Sequence, residues 1–149
     1  TIMNSKLLLP LISFIVSCST YAEQELNEFD QSISAYTAKN KIKLSRTDSG
    51  LYLNIRTAGT GRLIQYGDSV SISYAGELLN GKLVDIQKKP ITFAVKDLIM
   101  GWKEALIMAK KGSEMTLIIP PSLGYGDHEL EQIPQNAIIK YDLKVWDVK

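Results

Sequence analysis

The apolar residues between Val95 and Gly112 recur at helical spacing and predict one short helix in the second half of the chain. The apolar stripe consists of Leu98, Trp102, Ala105, Leu106 and Ala109. Asp97 is a candidate N-cap, and Gly112 can take the left-handed conformation that ends many helices. Gly101, in the first turn, permits another segment to approach the helix backbone closely. We therefore expect a helix with one buried face and defined ends.

Most other segments after residue 50 alternate between apolar and polar residues, as strands with one buried face do. The strictest alternation runs from Asp68 to Gly76, where apolar residues alternate with three serines. Asn80-Gly81 is the strongest hairpin signal in the chain and joins a strand at residues 77–79 to another at 82–84. The other alternating runs have these apolar positions: Leu51, Leu53 and Ile55; Ile91, Phe93 and Val95; Met115, Leu117 and Ile119; Ile139, Tyr141, Leu143 and Val145.

One-sided strands joined by short turns indicate an antiparallel sheet, because such sheets commonly bury one face and leave the other in water. The predicted helix is the element that can cover the apolar face. The sequence therefore predicts an α+β fold, with an antiparallel sheet wrapped around one short helix, from Gly50 to Lys149.

Residues 1–22 have the order of a secretory signal peptide, with Lys6 followed by an apolar run too short to be a lasting membrane anchor. Two cleavage sites fit the sequence. Thr20-Tyr21-Ala22 resembles an ordinary small-residue site, whereas Ile15-Val16-Ser17-Cys18 resembles a bacterial lipoprotein signal, in which the cysteine carries the lipid. We favour the second because the only cysteine of the chain stands where that motif requires it. Cys18 is thus the expected lipidation site, and Ser19 after it favours the outer membrane.

Between Glu23 and about Lys43, apolar residues such as Leu26 and Ile33 recur at spacings of three and four, which predicts an amphipathic helix. It can pack on its own domain, act as a solvated spacer or serve as a dimerisation arm. We favour the spacer because the apolar stripe is narrow and too short for several heptads. The expected division is a signal peptide at 1–22, a helical spacer and polar linker at 23–49, and a globular domain at 50–149.

Composition narrows the classes of function. With 149 residues, the chain has room for one globular domain and a tail. A net charge of +1, without a run of Lys and Arg interleaved with aromatics, argues against nucleic-acid binding. A single cysteine and a single histidine, His128, exclude an internal disulfide and a metal site rich in these residues. A carboxylate-only metal site stays open, although no EF-hand-like loop is visible. We expect no nucleic-acid partner, and we assign no metal site and no cofactor.

A series of short motifs follows one another along the globular segment. They are Gly67-Asp68, Tyr74-Ala75-Gly76, Asn80-Gly81, Asp85, Gly101-Trp102, Ile119-Pro120-Pro121, Gly124-Tyr125-Gly126, Ile133-Pro134 and Asn136-Ala137. In this order and at this spacing they resemble the FKBP-type peptidyl-prolyl cis-trans isomerases, the tacrolimus-binding immunophilins. The resemblance covers residues 50–149. The N-terminal signal and polar helix resemble the secreted or lipid-anchored bacterial members.

This resemblance implies a half-barrel sheet around the helix and an activity on X-Pro bonds. Its partners would be proline-containing polypeptides and macrolides such as tacrolimus. In the family the prolyl ring lies over the tryptophan that is Trp102 here. The backbone N–H of Ile99 and the Tyr125 hydroxyl would hold substrate carbonyls, and Asp85 would hydrogen-bond within the pocket, so these four are the expected catalytic residues. The expected substrate-binding residues are Tyr74, Val84, Ile91, Leu98, Ile133 and Tyr141.

Several of these residues also have a plain structural interpretation. Leu98 and Trp102 at helical spacing are typical of a core stripe, and Tyr74 and Tyr141 on buried strand faces can simply fill the core. Tyr125, between two glycines in a loop, is harder to explain by packing. The resemblance is what assigns the first four to a pocket.

The chain departs from the family pattern at the expected pocket. Val84 stands where the family usually has phenylalanine, and Ile91 where it tends to have an aromatic residue. The loop at residues 86–89 is short and lacks the arginine that commonly pairs with the pocket aspartate, which leaves Lys88 or Lys89 as a substitute. These departures predict a wider pocket and a slower enzyme. Two classes of function therefore stay open in the bacterial envelope: an isomerase for exported proteins, and an FKBP-fold chaperone or binding module with little catalysis.

Overall fold

The computed structural model describes residues 21–149, so Cys18 and the expected signal peptide lie outside the described residues. The elements in chain order are α1 (Glu23–Asn40), β1 (Ser45–Arg46), β2 (Tyr52–Thr57), β3 (Ser69–Leu78), β4 (Leu83–Ala94), α2 (Met100–Leu106), β5 (Glu114–Ile119) and β6 (Ile139–Val148). The six strands form one antiparallel sheet in the order β1-β2-β5-β6-β3-β4. The predicted α+β fold is confirmed.

The apolar alternation in the sequence matches the faces of this sheet. Val70 and Ile72 of β3 are buried, as are Leu117 of β5 and Leu143 of β6. They form one core cluster with α2, which lies against the concave face through Trp102 and its neighbours Ala105 and Leu106. The helix therefore covers the apolar face of the sheet, as predicted.

The predicted Asn80-Gly81 hairpin is present, but its second strand is longer than expected. Leu78 and Lys82 close the turn with a hydrogen bond of 2.9 Å, and Gly81 has a left-handed φ of 87°. Most of the two predicted strands at residues 82–84 and 91–95 lies in one strand, β4, which runs for 12 residues with register shifts against β3. Such irregularities bend a strand, and here they curve β4 along the edge of the sheet.

The helix predicted between Val95 and Gly112 is shorter than expected. Val95–Asp97 form a 3-10 turn, the backbone is extended at Leu98 and Ile99, and α2 then runs for only seven residues. Ile99, not Asp97, is the N-cap, and it makes no side-chain capping hydrogen bond. The chain leaves the helix early because the segment that follows is needed for sheet-like pairing: Thr60 bridges to Lys111 and the Gly112 N–H donates to Val145.

Gly112 has the expected left-handed φ of 85°, but it lies in the turn before β5 and does not end α2. At Gly101, the expected close approach of another segment to the helix backbone is present. A Cβ at Gly101 would lie 2.8 Å from Cγ2 of Ile119, which is closer than side-chain carbons normally approach. Glycine at this position therefore allows the first turn of α2 to pack directly on β5.

The N-terminal helix packs on the sheet, which corrects the expectation of a solvated spacer. Ile33 of α1 is fully buried and forms a second cluster with Tyr52 and Ile118 on the convex face. Asp30 accepts hydrogen bonds from Arg46 at 3.0 Å and from the Tyr52 hydroxyl at 3.2 Å. The narrow apolar stripe did not predict this docking because one fully buried isoleucine, supported by polar contacts, is enough to attach the helix.

The segment expected to be a polar linker also belongs partly to the sheet. Ser45 and Arg46 form β1, which pairs with Leu53 and Tyr52 of β2. Arg46 forms an ion pair with Asp30 at 2.8 Å, so this short strand connects α1 to the sheet. The boundary at residue 50 between linker and globular domain stays a prediction.

Candidate functional site: an aromatic recess between α2 and the sheet

A cavity of about 250 Å³ opens between the start of α2, the concave face of the sheet and the loop after β5. We call it the recess. Its lining residues are Tyr74, Asp85, Phe93, Asp97, Leu98, Ile99, Trp102 and Tyr125. Most of these side chains are apolar or aromatic, and Asp85 and Asp97 are the carboxylates at its wall. The recess is therefore suited to a compact apolar group with a few polar contacts.

Trp102 lies at the base of the recess and is held by two tyrosine rings. Its ring centroid is 4.8 Å from that of Tyr74 and 5.0 Å from that of Tyr141, and both pairs are close to perpendicular. Edge-to-face packing of this kind is favourable and fixes ring orientation. Only 4% of Trp102 is exposed, yet its Nε1–H has no hydrogen-bond partner in the described structure. A buried donor without a protein acceptor is uncommon, and here it belongs to a residue that lines the recess.

The position of Tyr141 depends on Gly76, its partner across the β3–β6 pairing. A Cβ at Gly76 would overlap carbons of the Tyr141 ring. The missing side chain leaves room for the fully buried Tyr141 ring, which contacts Trp102 edge to face. Glycine in the Tyr74-Ala75-Gly76 motif therefore has a direct role in shaping the recess.

Asp85 supplies a negative charge at the recess wall. The Tyr141 hydroxyl donates to its carboxylate over 3.4 Å. Burial raises the pKa of the Asp85 carboxyl, and hydrogen bonds from Tyr74 and Tyr141 oppose part of that shift. No ion pair in the described part of the chain involves Asp85. Its charge is thus balanced by tyrosine hydroxyls alone.

The expected substitute for the missing arginine is not found. Lys88 lies beside Arg56 and Ser73 in a separate surface depression, and Lys89 is exposed and offers its carbonyl to the Gln87 side chain. Neither lysine pairs with Asp85. The expectation was wrong because β4 continues as a strand through this segment and directs the lysines away from the carboxylate.

The tyrosines of the recess remain neutral over a wide pH range. Burial and the nearby Asp85 carboxylate raise the pKa of Tyr74 to about 12. Burial also raises the pKa of Tyr125 and, more strongly, that of Tyr141, with Asp85 adding to both shifts. At neutral pH these groups are therefore hydrogen-bond donors. They are not bases or nucleophiles.

Two backbone features place polar groups at the mouth of the recess. Ile99 is extended, with φ −61° and ψ 154°, and the described residues supply no acceptor for its N–H. Tyr125 follows the 3-10 turn Pro121–Leu123 in a loop tied down by hydrogen bonds from Gly126 to Pro121 and from Asn136 to Gly126. A free N–H on one side and a phenol on the other can bind two carbonyl oxygens of a peptide.

The structure brings most of the expected site residues together. Trp102, Asp85, Ile99, Tyr125, Tyr74 and Leu98 line the recess. Val84 and Ile133 pack against the same core, and Tyr141 supports Trp102 from below. Ile91 is separate, since it is 41% exposed on β4 and does not line the recess.

Sequence reasoning did not assign Phe93 and Asp97 to the site. Phe93 belongs to the same alternating run as Ile91 and lies closer to the helix, so the strand period was the signal that would have identified it. Asp97 was interpreted as an N-cap. The 3-10 turn before α2 instead places it at the recess wall.

Comparison with known proteins agrees with this geometry. The family model described as FKBP-type peptidyl-prolyl cis-trans isomerase matches residues 61–146, more than half of the chain. The chain belongs to this FKBP family. The match contains every residue that lines the recess.

Among the FKBP relatives, "FKBP-type peptidyl-prolyl cis-trans isomerase FkpA" of Buchnera aphidicola subsp. Schizaphis graminum is 41% identical over 110 residues, 71% of this chain and 44% of that protein. A "Probable FKBP-type peptidyl-prolyl cis-trans isomerase" of Haemophilus influenzae is 35% identical and covers 85% of this chain and 54% of its own length. The crystal structure of FkpA from Escherichia coli superposes with a TM-score of 0.73 at 30% identity, over 85% of this chain and 62% of that one. The chain thus spans about half the length of the curated relatives it matches.

Residues 21–149 contain neither a candidate membrane-spanning helix nor a candidate metal cluster. No helix there combines the length and apolar character required to cross a bilayer. Nor do the same residues contain a cluster of His, Cys, Asp and Glu suited to a metal ion.

Proposed function

We propose that this FKBP-family chain is a peptidyl-prolyl cis-trans isomerase that acts on X-Pro bonds of exported polypeptides. The observation that carries the proposal is the open recess lined by Trp102 and by other aromatic and apolar side chains. A prolyl ring is apolar and compact, and it fits a space of about 250 Å³. The peptide carbonyls beside it meet the Ile99 N–H and the Tyr125 hydroxyl.

The chemistry required of such a site is modest. Rotation about an X-Pro amide faces a barrier of about 18–20 kcal/mol. A thousandfold acceleration needs a reduction of only about 4 kcal/mol. No covalent bond is made or broken, so a nucleophile and a paired acid and base are unnecessary. The neutral tyrosines and the single buried carboxylate of the recess fit this requirement.

The recess favours the twisted amide over the planar one. Resonance makes the planar amide the more polar form, so a water-poor aromatic environment destabilises it relative to the twisted state. Trp102 would hold the prolyl ring while the carbonyl before it rotates. The Ile99 N–H and the Tyr125 hydroxyl would fix the flanking peptide. Asp85 would position Tyr74 and Tyr141 through its hydrogen bonds.

An activity assay tests this proposal. The processed protein is added to an X-Pro tetrapeptide in a protease-coupled assay or an NMR exchange measurement, with Trp102→Ala as the matched variant. Catalysis by the wild type and its loss in the variant are expected. If both proteins give the uncatalysed rate, the isomerase function is wrong.

A chaperone or binding module with weak catalysis is the second candidate. It is favoured by Val84 and Ile91, aliphatic residues where the family tends to have aromatic ones, since Ile91 adds nothing to the recess lining. The same tetrapeptide assay separates the two. Suppression of aggregation of an unfolded protein, without acceleration of the tetrapeptide, would favour the binding module.

Macrolides such as tacrolimus are a further proposed ligand of the recess. The support is the combination of an apolar base, a free backbone N–H and tyrosine hydroxyls, which can take a cyclic amide and its carbonyls. Competitive inhibition of the tetrapeptide reaction by tacrolimus is expected. Full activity at saturating tacrolimus would show that the recess does not bind this macrolide.

We also propose that the protein is held in the bacterial envelope, on the periplasmic side, by lipid on Cys18, with the outer membrane as the expected site. Contacts next to the alternative cleavage site support this choice. The Tyr21 hydroxyl donates to Asn136 at 2.7 Å, its ring packs against Phe29, and the Ala22 N–H donates to Glu25 at the start of α1. Cleavage after Ala22 would remove these groups from the folded protein, whereas processing at Cys18 keeps them.

Labelling with radioactive palmitate in the host tests the lipid anchor. Incorporation into the wild type and none into Cys18→Ala is expected. An unlabelled wild-type protein whose mature N-terminus is Glu23 would overturn it.

A further inference from the structure

The outward face of α2 carries an apolar groove that the isomerase mechanism does not use. Met100, Lys103, Glu104 and Ile107 lie at helical spacing on one side of α2, and Tyr66 packs beside them. Together they enclose about 360 Å³ of open space, which we call the α2 groove. The buried face of the same helix, with Trp102, points the opposite way.

The exposure of these residues is unusual for the solvent side of a short helix, which is normally polar. Met100 is 57% exposed, Tyr66 56% and Ile107 44%. Leu63 and Met108, near these residues in sequence, are exposed to 51% and 37%. The Lys103 ammonium lies 5.7 Å from the centroid of the Tyr66 ring, so even the charged residue is arranged around an aromatic face. Clustered exposed apolar groups of this kind mark a binding surface.

The α2 groove and the recess lie on opposite faces of α2, but consecutive residues at the start of the helix line them. Ile99 lines the recess, and Met100, the next residue, lines the groove. The Ile99 carbonyl accepts from the Lys103 N–H at 3.1 Å, so one helical turn joins the two surfaces. A polypeptide that leaves the recess at Ile99 and passes around the start of α2 would therefore reach Met100.

The size of the groove indicates its occupant. Met100 and Ile107 are seven positions apart, a helical rise of about 10 Å. About three extended residues span this length. A stable dimer interface takes about 20–30 residues from each partner, far more than line this groove. A short extended segment fits the groove better than a second copy of the chain does.

We infer that the α2 groove binds an apolar segment of the same unfolded polypeptide whose proline occupies the recess. This inference rests on the proposed isomerase function and adds a second contact that only longer substrates reach. A tetrapeptide fills the recess and ends before the groove. An unfolded protein with apolar residues a few positions from its proline engages both.

The test measures kcat/KM of the wild type and of the double variant Tyr66→Gln/Ile107→Gln on two substrates, a tetrapeptide and an unfolded protein. With the tetrapeptide, kcat/KM is expected to match the wild type. With an unfolded protein whose refolding is limited by a proline, kcat/KM is expected to fall about fivefold to tenfold, because two partly buried apolar contacts are lost. The single variants Ile107→Gln and Leu26→Gln give a matched pair, with exposures of 44% and 40%, and only the former is expected to slow the protein substrate.

The outcomes separate this inference from the proposed function. Equal rates for wild type and double variant on the protein substrate would overturn the groove, as would an equal loss on both substrates. A wild type inactive on the tetrapeptide would instead remove the isomerase function. In that case the groove is tested by binding of a reduced, carboxymethylated protein, where an unchanged affinity of the double variant contradicts it. A wild-type dimer that the double variant converts to monomer would assign the groove to self-association and also overturn the inference.

Discussion

The convex and concave faces of the sheet each place an aspartate against a tyrosine, but the two pairs differ in how the charge is balanced. On the convex face, Asp30 accepts from the Tyr52 hydroxyl and also forms an ion pair with Arg46 at 2.8 Å. On the concave face, Asp85 accepts from Tyr141 over 3.4 Å and takes part in no ion pair among the described residues.

The packing around the two aspartate–tyrosine pairs also differs, since it is closed on the convex face and open on the concave face. Ile33 closes the convex cluster completely. The concave pair borders an open recess lined by Trp102, whose buried Nε1–H has no partner among the described residues. Complete pairing and closed packing indicate a structural contact that attaches α1 to the sheet. Incomplete pairing beside an open space indicates a site that a ligand completes.

The largest predicted effect is that of Trp102→Ala, which removes the indole from the recess on the concave face. We expect kcat/KM on an X-Pro tetrapeptide to fall by about a hundredfold or more, equivalent to about 3 kcal/mol. The buried indole also supports the core, so the free energy of unfolding should drop by about 3–5 kcal/mol. The milder Trp102→Phe keeps a ring and should retain part of both.

The other tryptophan is the control for this prediction. Trp146 is 46% exposed on β6 and donates to Ser73. Trp146→Ala should leave kcat/KM unchanged. A similar loss of activity in both variants would mean that the recess is not the site.

Ile33→Ala should weaken the convex cluster and lower stability without affecting activity. Removal of a fully buried isoleucine side chain from the contact with Tyr52 and Ile118 should cost about 2–4 kcal/mol of unfolding free energy. Chemical denaturation measures this loss. Because the cluster lies on the far face of the sheet, kcat/KM should not change, and a parallel loss of activity would show that the two faces are coupled.

A pair of hydroxyl deletions sharpens the comparison. Tyr52→Phe and Tyr141→Phe each remove one hydrogen bond to an aspartate and should each lower the unfolding free energy by about 1 kcal/mol. Their activities should differ. Tyr141→Phe removes a donor from Asp85 and should reduce kcat/KM by about tenfold, whereas Tyr52→Phe should have wild-type activity. Equal activities for the two variants would contradict the distinction between the faces.

The smallest predicted effect is a pH dependence of stability due to Asp85. Its folded pKa is raised by burial, so folding favours the protonated carboxyl. The stabilising contribution is present below the unfolded pKa of about 3.9 and is lost as pH rises through the higher folded pKa. The difference in unfolding free energy between the wild type and Asp85→Asn should therefore fall as pH rises from the unfolded pKa through the folded pKa. Above the folded pKa the difference should be constant. A difference that does not vary with pH would show that the pKa is not raised.

Alternation along the chain was sufficient to predict the sheet, since Val70, Ile72 and Leu143 face the core as their period required. The extent of α2 could not be obtained this way. The segment after Leu106 has helical spacing, but Thr60 and Val145 pair with it, and these partners are distant in sequence.

The candidate site shows the same limit. The ordered motifs located Trp102, Asp85 and Tyr125, which the fold brings to one recess. The directions of Lys88 and Ile91 depend on how β4 bends at its register shifts, and no local pattern in the sequence encodes that bend. The docking of α1 likewise depends on Ile118, which lies on the convex face of β5. The alternation along β5 shows that Ile118 faces away from the main core, but it does not show that α1 covers it.

The central claim is that a prolyl ring occupies the recess over Trp102. The chain has two tryptophans, so a ¹⁵N-correlated NMR spectrum contains two indole N–H signals, and Trp146 serves as an internal reference. On titration with a proline-containing tetrapeptide, the Trp102 signal should shift and show contacts to the proline ring protons while the Trp146 signal stays in place. An unmoved Trp102 signal at saturating peptide, with or without binding elsewhere, would contradict the account.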